Sequence, residues 1–147
     1  MEKENFDEYQ IITRQKIAYQ SLFITFTLVL INGWISTDHT SASPMIQAFV
    51  IIVIPTLYFV TCTVLKNAYL SNKTKFPLIQ AFLFIGLGVL DVVVSFNAYT
   101  RVGVTSFIAD GKLIDGVTPI LLAIFFFYIG GIILAKYLLE KEKDIHE

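Results

Sequence analysis

"PLIQAFLFIGLGVLDVVVSF", at 77–96, is an apolar run of helical length with a single acid in it, Asp91. Hydrocarbon penalises a charged group, so a carboxyl there is either a proton or cation site or a hydrogen-bonded anchor between helices. Helical spacing places Ala81, Gly88, Asp91, Ser95 and Ala98 on one stripe of small or polar side chains, against which a second helix can pack closely. The neutral partners at similar depth are Asn32, Thr56 and Tyr128, with Ser95 one turn away on the same helix. No Lys or Arg occurs at matching depth. Both readings of Asp91, coupling site and packing residue, stay open at this point.

Other chemistry is sparse. Cys62, the single cysteine, lies inside an apolar run and reads as a small buried hydrophobe. His39 and His146 fall on opposite sides of the expected membrane, so they share no metal, and no metal-ligand cluster is expected. No phosphate-binding glycine loop or Ser/His/Asp arrangement is present, and Asp91 has no second intramembrane carboxylate for acid–base work. An enzyme is therefore the least expected class, and no cofactor is expected. The net charge of -1 and the lack of a basic stretch interleaved with aromatics argue against a nucleic-acid partner.

The elements that must position these residues are helices in a bilayer. At 147 residues, 55% hydrophobic and a mean hydropathy of +0.67, the chain is too apolar for an ordinary soluble domain. Four apolar segments, 17–36, 45–65, 78–98 and 119–137, are each close to the ~20 residues that a helix needs to cross ~30 Å of hydrocarbon. The fold class expected is all-α: a single membrane domain over 1–147, a four-helix bundle with tails at 1–16 and 138–147. Ser43-Pro44 and Thr118-Pro119 place a hydroxyl cap before a proline, and Pro77 opens the third span in the same way. Pro55 falls mid-span and predicts a kink, because it denies the Ile51 carbonyl its usual donor. Asp110-Gly111, between Phe107-Ile108 and Leu113-Ile114, predicts a small hairpin or a re-entrant apolar tip in the third connection.

Charge predicts the orientation. Lys3, Arg14, Lys16, Lys66, Lys73, Lys75, Lys136, Lys141 and Lys143 flank one side of the spans, and only Arg101 and Lys112 flank the other. The positive-inside rule then makes both termini cytoplasmic. "SAS" at 41–43 resembles a cleavage site, but the acid-rich leader and the long apolar run favour a retained first span. Ahead of that span, Phe6, Tyr9, Ile12 and Tyr19 recur at helical spacing, which predicts an amphipathic N-terminal helix that starts near Asn5 or Asp7 and leads into the first span. This is a docking face for a cytoplasmic or membrane partner, or an interfacial anchor with its basic side chains snorkelling.

"PMIQAFVIIVI" from Pro44 resembles "PLIQAFLFIGL" from Pro77 at the starts of two oppositely directed helices. That is the mark of an inverted repeat, or of two proline-started apolar helices drawn from a restricted alphabet. Gln47 would then match Gln80, and Tyr58 would match Asp91.

"DEYQIITRQKIAYQS" at 7–21, "PMIQAFVIIVIPTLYF" at 44–59 and "LKNAYL" at 65–70 resemble a group of small, largely uncharacterised four-span membrane proteins of Gram-positive bacteria. The resemblance covers most of the chain and is strongest in its first half. It implies a bacterial plasma-membrane location and carries no activity, cofactor or catalytic residue with it. The function expected from the residues is association, as an accessory or regulatory partner of another membrane protein or as a homo-oligomer. The alternative is a minimal proton- or cation-coupled transporter or channel built on Asp91. Small multidrug exporters share the four-span size, but their essential acid lies in the first span, where this chain has none.

Overall fold

The computed structural model describes residues 6–38, 42–69, 77–102, 108–109, 112–113 and 115–146. Its helices are α1 (Glu8–Asp38), α2 (Pro44–Leu65), α3 (Pro77–Val102) and α4 (Thr118–His146). A two-stranded hairpin, β1 (Ile108–Ala109) and β2 (Lys112–Leu113), lies between α3 and α4, and a short 3-10 turn at Asp115–Val117 leads into α4. All four helices are long and apolar enough to cross a membrane. Backbone groups have no water to bond in hydrocarbon, and a helix satisfies them internally. The 31 residues of α1 extend about 46 Å at 1.5 Å per residue, well beyond a ~30 Å hydrocarbon layer. The first turns of α1 therefore stand outside the expected 17–36 span as part of the same continuous helix.

The helix ends follow local chemistry. At the start of α1, the Asp7 backbone N–H donates to Gln10 Oε1 at 3.2 Å, one half of a capping box. Ser43 caps α2 from an extended backbone, its Oγ accepting the Ile46 N–H at 3.3 Å. The end of α2 is a Schellman turn: the Ala68 N–H reaches Thr63 O at 2.8 Å and the Asn67 N–H reaches Val64 O at 3.2 Å. Asn67 takes the left-handed conformation this requires, with φ 55°, a region that asparagine tolerates better than most side chains.

One expectation needs amendment. Thr118 does not cap α4. The Asp115–Val117 turn winds directly into the helix, so Thr118 is already its first residue, and among the described residues its buried Oγ1 has no hydrogen-bond partner. Pro55 is buried within α2, which runs as one α-helix from Pro44 to Leu65 across it. The expected hairpin forms, pairing Ile108 with Leu113 and Ala109 with Lys112, while Asp110-Gly111 itself lies outside the described residues.

Packing does not follow chain order. α1 packs on α2, α2 on α4, and α4 on α3, so that α4 lies between its two predecessors and α1 and α3 form the flanks. Val60 and Val64 of α2, Ala81 of α3, and Ile129 and Ile133 of α4 form the shared core. Because these are late in α2, early in α3 and late in α4, both ends of the chain leave the helices on the same side. The remaining surface is apolar, with Phe23 at 73% and Leu30 at 75% exposure on α1. A face of that kind suits lipid contact and exceeds what a monomeric soluble protein usually shows water.

Candidate functional site

α3 meets α4 along the small-residue stripe. Ala81 is fully buried, and a methyl group added at Gly88 would come within 3.0 Å of the Phe127 ring. From the other side, a methyl at Gly130 would lie 2.7 Å from Ile85 Cγ1 and 2.9 Å from the Ala81 carbonyl oxygen. The two backbones thus approach as closely as glycine allows. Phe84 and Phe126 stack across the same interface with ring centroids 6.2 Å apart.

Asp91 lies two turns beyond Phe84 on the same line of α3, because seven residues return a helix to nearly the same face. Phe84 packs against the core that α2, α3 and α4 share, and Asp91 is half-buried. Its position is about 3 Å past the midpoint of the Leu78–Thr100 span, two residues at 1.5 Å each. Ser95 donates to the Asp91 backbone carbonyl at 2.8 Å and not to the carboxyl group. Among the described residues, no hydrogen bond joins that carboxyl to Asn32, Thr56 or Tyr128. Thr56 donates to Ile52 O at 2.7 Å, and Tyr128 pairs with Thr61 at 2.9 Å. These candidate polar residues are therefore not drawn into one hydrogen-bonded cluster. Ala98, the last member of the stripe, lines an apolar cavity further along α3.

The polar contacts that do cross between helices are others. Tyr58 Oη donates to Gln20 Oε1 at 2.9 Å, tying α2 to α1, and Thr61 with Tyr128 ties α2 to α4. Near the opposite end, Ser36 Oγ donates to Gln47 Oε1 at 3.3 Å, and Ser43 Oγ bonds the Asp115 carboxylate. Tyr58 and Asp91, the pair aligned by the apparent repeat, thus have different surroundings, as do α2 between two helices and α3 at a flank.

The N-terminal segment has two distinct faces. Tyr9, Ile12 and Tyr19 are exposed, and they continue the line of Phe23, Phe26 and Leu30 along the same helix. Phe6 is half-buried beneath Arg14, whose guanidinium carbon lies 4.3 Å from the ring centroid, a cation–π contact. The opposite face, Gln10, Thr13 and Ile17, is buried. Gln10 is 3% exposed, and its Nε2 donates to the Asn67 carbonyl at 2.7 Å, clamping the start of α1 to the turn that ends α2. Tyr69, half-buried just after that turn, has its hydroxyl pKa raised by burial, with the nearby Arg14 charge partly opposing the shift. Sequence reasoning singled out the exposed aromatics and passed over Gln10. The signal available was Gln10, Thr13, Ile17 and Ser21 sharing one helical face, with Asn67 at a helix stop.

Among the described residues, no group of three or more His, Cys, Asp or Glu is placed to hold a metal ion, and His39 lies outside them. Comparison with protein-family models, curated proteins and solved structures gives no match to this chain.

Proposed function

We propose that the chain is a small integral membrane protein that acts by association, as an accessory or regulatory partner of another membrane protein or with further copies of itself. We place it in a bacterial plasma membrane with both termini cytoplasmic. One observation carries the reading: α3 is a flanking helix that holds a half-buried carboxyl near mid-span, and no described side chain satisfies that carboxyl. A second membrane helix bringing a donor to Asp91 would remove a cost of a few kcal/mol. The bias of Lys and Arg toward the side from which both chain ends leave supports the orientation. The reading assigns the protein no catalytic role.

The same carboxyl also supports a second reading, a minimal proton- or cation-coupled transporter or channel. Weighing the complex extracted from its native membrane in mild detergent separates the two. Association predicts a mass above one chain that falls to a single chain in Asp91→Leu. A lone chain in the wild type refutes it, and proton-coupled flux abolished by Asp91→Asn would then establish the transporter reading.

A further inference from the structure

Beyond Asp91, toward the side away from the chain ends, α3 and α4 leave a cavity of about 380 Å³ between them. Val92, Ser95 and Tyr99 line it from α3, and Ile120, Ala123 and Phe127 from α4. All six lie in segments long and apolar enough to be within the bilayer, in the last turns of one span and the first turns of the next. We infer that this cavity is a binding site for one acyl chain of a bilayer phospholipid.

The chemistry of the lining selects that occupant. The lining is almost wholly apolar, and the Ser95 hydroxyl is already committed to the Asp91 carbonyl, so the site offers little to a polar ligand. Tyr99 stands at its outer end, where an amphipathic ring meets the headgroup layer, and Gly116 borders the same region without a side chain. A flexible hydrocarbon chain fits lengthwise between two helices and keeps its headgroup outside. The bound chain covers part of the α3 flank beyond Asp91, which does not itself line the cavity.

The inference rests on the membrane reading and not on association. Its test uses the full-length protein in mild detergent with added phosphatidylglycerol, and native mass spectrometry counts the lipid that stays bound. One phospholipid per chain is expected to survive delipidation. Ser95→Phe, which fills the cavity, should lower the retained fraction by about tenfold or more, while Ile52→Phe on the exposed face of α2 should retain it. Ala98→Leu serves the same purpose if Ser95→Phe does not fold. Equal retention in the wild type and the filled variant overturns the inference, as does a lipid-free dimer, which would assign the cavity to a side chain of a second copy. Flotation with phosphatidylglycerol vesicles keeps the two failures apart. A protein that does not float refutes the membrane reading, whereas one that floats and retains no lipid refutes only the acyl-chain site.

Discussion

Gly130 and Gly131 are adjacent and identical in type, yet substitution by alanine should have opposite effects. A methyl at Gly130 would meet Ile85 Cγ1 at 2.7 Å, the Ala81 carbonyl oxygen at 2.9 Å and the Ile85 nitrogen at 3.2 Å. Two of those atoms are backbone, so rotating a side chain relieves only part of the clash and α3 must move away from α4. A methyl at Gly131 meets nothing within 4 Å. Both substitutions gain the ~1 kcal/mol that alanine holds over glycine in a helix. The difference between them therefore isolates overpacking, about 1–3 kcal/mol. Gly88→Ala should fall between, since the three atoms nearest its methyl all belong to the Phe127 ring, which can turn aside. Reversible unfolding by a denaturing detergent, followed by circular dichroism, measures all three variants. The expected stability order is Gly131→Ala above Gly88→Ala above Gly130→Ala. Equal midpoints for the two adjacent variants would mean that α3 and α4 do not approach at Gly130.

Two predictions concern the end near the chain termini. Gln10→Ala removes the donor to the Asn67 carbonyl and the acceptor for the Asp7 N–H. It should cost about 1–3 kcal/mol locally. Hydrogen exchange in the first turns of α1 should accelerate, with little change at Ala81, and unchanged protection there would count against the clamp. Tyr69 supplies a pH dependence. Its folded pKa is raised above 10, so its stabilising effect is complete below the unfolded pKa and is lost as pH rises from about 10 through the folded value. Tyr69→Phe should flatten the alkaline limb of the stability profile, and an identical limb in both proteins would show that the residue is not buried as described.

The spans were legible because a run of about twenty apolar residues has few other uses. The continuation of the first helix ahead of its span was legible as well: the helical spacing of Phe6, Tyr9, Ile12 and Tyr19 points to a helix that starts near Asn5 or Asp7, and α1 begins at Glu8. Neighbour order was not legible at all. In lipid, the residues that face another helix and those that face acyl chains are both apolar, so hydrophobic patterning does not say that α4 lies between α2 and α3. The stripe at Ala81 and Gly88 did indicate a close approach, but Gly130 and Gly131 cannot be told apart without their partners. The same ambiguity affects the candidate site. Asn32, Thr56 and Tyr128 were matched to Asp91 by depth, and depth does not report which way a side chain points. The back-bonds of Thr56 and Ser95 to carbonyls on their own helices were a local option that depth matching ignores.

The order of the helices also bears on how the protein is made. α1 and α2 are consecutive and pack together, so the first pair can dock as soon as both have left the ribosome. α3 cannot, because its main partner α4 is synthesised after it. Roughly 44 residues separate the end of α3 from the end of α4, which at ~5–20 residues per second is a wait of about 2–9 s. Through that interval the acid-bearing helix lacks its main packing partner. A chain truncated before α4 would leave α3 without the helix it packs on.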